Sequence, residues 1–175
     1  MLDARFDDLT GASPSFRLVE PVGVLEATHA GEVVATIEAA EAAAGRGLWV
    51  AGFVTYEAAP DLDPDLVVRA REAWDPFAAL PLAWFAMFER AEETMLPLPR
   101  DEGMRAAREG TWVPTTPRDR YESSVERIRE LISAGETYQV NHTMRLRSRL
   151  EGDPRGLYRD LCYAQRGAFA AYLDL

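Results

Sequence analysis

The feature that most constrains this chain is a change of hydrophobic period at Gly135. Before it, Tyr121, Val125, Ile128, Leu131 and Ile132 recur at helical spacing. After it, Tyr138, Val140, His142, Met144, Leu146, Ser148 and Leu150 alternate with Gln139, Asn141, Thr143, Arg145, Arg147 and Arg149. The first period lays one apolar stripe on a helix; the second sends alternate side chains to opposite faces of a strand. Thr116 suits the N-cap, Pro117 the first helical position, and Asp119 adds negative charge to the first turn. Gly135 suits a left-handed helix stop. The spacing predicts a helix opened by Pro117 and closed at Gly135, then a long strand from Tyr138 to Leu150 with an arginine-rich face. By pattern alone this is an ordinary helix–strand pair.

The rest of the chain reads as α+β, without repeats or low-complexity tracts. Residues 15–27 form an extended segment interrupted by Pro21, and residues 30–44 a helix with Val33, Val34, Ile37, Ala40 and Ala44 on one side, stopped by Gly45 and Gly47. The near-continuous apolar run 48–56 predicts a strand buried on both faces. A loop at 61–65 and an aromatic-rich strand at 81–89 follow. Asp153 and Pro154 open a short helix whose buried side is Leu157, Tyr158, Leu161 and Cys162. Phe169, Ala171, Leu173 and Leu175 alternate as a closing strand.

Composition bounds the function classes. Hydrophobic residues make up 47 % of the 175, enough for a core. The net charge of −10 disfavours nucleic acid and anionic membrane surfaces as partners, because both demand cationic surface. All 19 basic residues are arginine. A single cysteine excludes an intramolecular disulfide and suits a reducing compartment. No apolar run approaches the roughly 20 residues that span a bilayer, and no signal peptide opens the chain. These features point to the cytoplasm.

Candidate chemistry is sparse. Asp61, Asp63, Asp65 and Glu72 fall at EF-hand spacing, but Leu66 stands where the loop needs glycine and Pro64 stiffens it, so a solvated acidic loop is the expectation and no metal site. His29 and His142 form no nucleophilic triad with a serine. Cys162, on the buried side of its helix, reads as packing. No phosphate-binding glycine loop is present.

Tyr121, Val125, Ile128, Ile132 and Gly135, leading into Tyr138-Gln139-Val140-Asn141 and Thr143, resemble the start of the chorismate-binding domain in component I of aminodeoxychorismate synthase, a family close to component I of anthranilate synthase. Gly152-Asp153 and the strand Arg166, Phe169, Ala171, Tyr172 and Leu173 fit as well, as do Arg5-Phe6-Asp7 and residues 51–59 upstream. His142 replaces a usual leucine and Ala168 a usual proline. The anthranilate enzymes tend toward Phe-Gln-Val-Val where this chain has Tyr-Gln-Val-Asn.

The resemblance implies mixed and antiparallel sheets with flanking helices, in the manner of the anthranilate synthase component I fold. It implies conversion of chorismate and ammonia to 4-amino-4-deoxychorismate, with Mg²⁺ in the complete enzyme and a glutamine amidotransferase as ammonia source. The attacking group in such enzymes is a lysine within Pro-Ile-Lys-Gly-Thr. This chain contains no lysine, so no residue here inherits a catalytic role and none is expected to hold Mg²⁺. The matching effector positions are Arg5, Phe6, Ala168, Phe169 and Ala170. Tyr138, Gln139, Val140, Asn141 and Thr143 are expected to organise the sheet beneath the chorismate site, the two amides bonding to neighbouring backbone. The expected organisation is an N-terminal region over 1–99, a connecting segment over 100–116 and the beginning of the catalytic domain over 117–175. A closing strand without a following partner leads us to expect an N-terminal piece of a longer protein.

Overall fold

The computed structural model describes residues 2–73, 75, 77–95 and 108–174. In chain order these form β1 (Asp3–Asp7), β2 (Phe16–Ala27), α1 (Val33–Gly45), β3 (Trp49–Val54), a 3₁₀ turn (Tyr56–Ala58), α2 (Ala59–Leu62), β4 (Ala83–Glu93), β5 (Arg108–Glu109), β6 (Val113–Pro114), α3 (Arg118–Ser133), β7 (Leu146–Arg147), β8 (Leu150–Glu151), α4 (Pro154–Gln165) and β9 (Ala170–Asp174). Helices with antiparallel strands confirm the α+β expectation. Residues 100–107 of the expected connecting segment lie outside the described residues, as does Leu175. The chain divides into two compact units: Met1–Pro99 with Tyr158–Leu175, and Arg100–Leu157.

The first unit is built on a five-stranded sheet of order β3-β4-β2-β1-β9, antiparallel throughout. β2 and β4 are its spine. Their register shifts between Pro21 and Gly23, and Glu20 adopts φ +60 just before the shift. Proline cannot donate to a ladder, so the interruption becomes a bulge and the strand continues past it. Ala4, Leu18, Ala51, Ala86 and Phe88 form one buried cluster; Ala27, Val33, Ala58 and Ala83 form a second where α1 meets the sheet. Burial of Phe88 alone stabilises the fold by roughly 2–3 kcal/mol.

Helix α1 lies against β2, β3 and β4 through Val33, Thr36, Ala40 and Ala43, and Val34 and Ala44, expected on that side, are exposed. Gly47, at φ +95, follows the helix as expected. At the other end the Asp61 carboxylate accepts from the Gly31 N–H (2.6 Å) and the Val33 N–H (3.4 Å). The first two residues of the expected acidic loop, Asp61 and Leu62, end α2, and Asp61 satisfies donors at the start of α1. The apolar run predicted to be buried on both faces is instead edge strand β3, with Trp49 46 % and Val54 41 % exposed. A run of apolar residues reports hydrophobicity and not position in a sheet, which is a long-range property.

In the second unit α3 begins at Arg118, one residue later than predicted; Pro117 stands at the cap and Thr116 makes no capping bond. Proline contributes a backbone carbonyl there, which accepts from the Tyr121 N–H at 3.0 Å. The stripe survives as half-buried Val125, Ile128 and Leu131, with Tyr121 and Ile132 exposed. Gly135 takes φ +78 and ends the helix as predicted, the Glu136 N–H reaching the Leu131 carbonyl at 3.0 Å. The predicted Tyr138–Leu150 strand does not form. Residues 137–145 are irregular, and only Leu146–Arg147 and Leu150–Glu151 pair, with β6 and β5. A strand exists only in a ladder, and the described residues offer this segment two partners of two residues each, one of them containing Pro114. Asp153 caps α4 as predicted, accepting from the Arg155 N–H at 2.9 Å.

Candidate functional site

Two features of the first unit bring chemistry together. The first is a cleft of about 500 Å³ lined by Phe6, Ile37, Ala40, Ala44, Gly52, Phe85, Ala171 and Leu173, with Glu41 the one ionisable wall residue among those described. Its walls come from α1 and from both edge strands, β3 and β9, so the sheet curls around it. Small residues make the space. Gly52 crosses β4 so closely that a Cβ would stand 1.9 Å from the Trp84 carbonyl oxygen and 2.7 Å from Phe85 Cα. Phe6 is held by the ring of Phe16, 5.1 Å away and nearly parallel.

The second feature is a buried polar knot. The Asp7 carboxylate, fully screened from solvent, accepts from Arg5 Nε (2.7 Å) and Nη2 (2.9 Å) and from Tyr158 Oη (2.6 Å). Arg5 also donates to Thr94 Oγ1 (3.3 Å) and to the Met95 carbonyl. Burial opposes the Arg5 charge, and the hydrogen bond and charge of Asp7 outweigh it, holding the guanidinium above its ordinary value. Burial, reinforced by Asp7 and Cys162, pushes the Tyr158 hydroxyl far up. Burial likewise raises the Cys162 thiol, and the neighbouring Tyr158 only partly offsets it. Such a thiol and such a phenol stay protonated at neutral pH, so neither is a ready nucleophile.

Around this knot β1 and β9 pair with Arg5 opposite Tyr172, Phe6 opposite Ala171 and Asp7 opposite Ala170, and the Leu9 N–H reaches the Gly167 carbonyl at 3.0 Å. Arg166 turns the chain into β9 with φ +50. The structure therefore brings Arg5, Phe6 and Ala170 onto adjacent strands beside half-buried Ala168. Phe169, expected to open the closing strand, lies just before β9 and is 99 % exposed. Of the five expected effector positions only Phe6 lines the cleft.

The Tyr138–Thr143 motif stands in the second unit. Tyr138 is 93 % exposed, and Val140 and Thr143 are also open to solvent. Gln139 Nε2 donates to Asn141 Oδ1 at 3.3 Å, and Thr137 Oγ1 to the Gln139 carbonyl at 3.1 Å. The Tyr121 and His142 rings sit 5.3 Å apart. No group of three histidine, cysteine, aspartate or glutamate side chains converges among the described residues, so these residues do not fit a Mg²⁺ site.

Asp7, Tyr158, Ile37, Gly52 and Phe85 were not singled out by sequence as site residues. Tyr158 carried a partial signal, since a phenol on the apolar side of a helix requires a hydrogen-bond partner. Its partner is 151 positions away, beyond the reach of local spacing. No helix among the described residues is long and apolar enough to cross a membrane. No curated protein and no solved structure matches the chain. Residues 7–175 match the family model described as chorismate binding enzyme, so the polypeptide belongs to the chorismate binding enzyme family.

Proposed function

We propose that these 175 residues are the N-terminal portion of an aminodeoxychorismate synthase component I, which replaces the C4 hydroxyl of chorismate with ammonia to give 4-amino-4-deoxychorismate for para-aminobenzoate and folate synthesis. The observation that carries this reading is Tyr138-Gln139-Val140-Asn141 directly after the α3–Gly135 helix stop, within a chain of the chorismate binding family. The chain contains no lysine, so the attacking amine belongs to residues outside these 175. The carboxylates that would carry Mg²⁺ are proposed to lie outside the described residues, which gather no such set. A glutamine amidotransferase is the proposed ammonia source, and the cytoplasm, with its reducing thiol pool, the proposed location.

What these residues supply is framework. The Arg5–Asp7–Tyr158 knot fixes α4 and β9 to the N-terminal sheet, and the exposed Tyr138–Thr143 segment is the proposed organiser of the sheet under the substrate. Product analysis of the full open reading frame with chorismate, ammonia and Mg²⁺ tests the reading. 4-Amino-4-deoxychorismate is the expected product; anthranilate in its place would assign the chain to the anthranilate branch.

A further inference from the structure

We draw no further inference here: the strongest candidate, the apolar cleft bounded by α1, β3 and β9 with Glu41 on its wall, belongs to the site already described, and nothing in the structure shows what covers its β9 side.

Discussion

Gly52 on β3 and Trp84 on β4 approach so closely that no side chain fits between them: a Cβ on Gly52 would lie 1.9 Å from the Trp84 carbonyl oxygen. The obstruction is backbone, in the middle of the β3–β4 ladder where Gly52 pairs with Phe85, so it cannot swing aside. Gly52→Ala should destabilise the chain by about 3 kcal/mol or more, as overpacking against a rigid neighbour does. A urea midpoint within about 0.5 kcal/mol of the unaltered chain would show that the strands separate more freely than this geometry implies.

Asp8 lends the fold acid sensitivity. Its carboxylate accepts from the Thr10 hydroxyl (2.5 Å), the Thr10 N–H (2.8 Å) and the Ser13 N–H (2.9 Å), bonds that favour the charged form and lower its pKa, the Thr10 hydroxyl most. A folded-state pKa below the unfolded value of 3.8 stabilises the fold in full above that value. The contribution disappears as pH falls through the lower folded-state value. Asp8→Ala should therefore be less stable than the parent above the unfolded value, with the gap narrowing as pH falls below it. A stability gap that stays constant through that fall would contradict the assignment.

Asn141 and Gln139 bond to each other and stand open to solvent in this chain. Asn141→Leu should leave the melting temperature of the 175-residue chain almost unchanged, within about 0.5 kcal/mol of stability. A drop of several degrees would show that the amides already hold backbone here, as the alternation of the segment led us to expect.

What the sequence disclosed follows the range of the forces involved. Gly135 as a helix stop, Asp153 as a cap and Pro21 as a strand interruption are set within a few residues, and each was legible. The Tyr138–Leu150 alternation stated which side chains share a face but not whether a neighbouring strand exists to pair with, and the segment is largely irregular. The apolar run ending at Tyr56 gave a strand correctly and its burial wrongly, because the number of neighbours a strand acquires is decided by distant segments. The site was least legible. Phe6, one of the expected effector positions, lines the cleft, but Asp7 meets Tyr158 only through the β1–β9 pairing, and the cleft depends on curvature that brings β3 and β9 to one cavity.

Incubation of the 175-residue chain with chorismate, ammonia and Mg²⁺, followed by chromatographic product analysis, tests the central claim most directly. A chorismate-family framework without lysine, and with no converging carboxylate set among its described residues, should form neither 4-amino-4-deoxychorismate nor anthranilate above a protein-free control. Catalytic formation of either product would place the reacting groups within these residues and contradict the account.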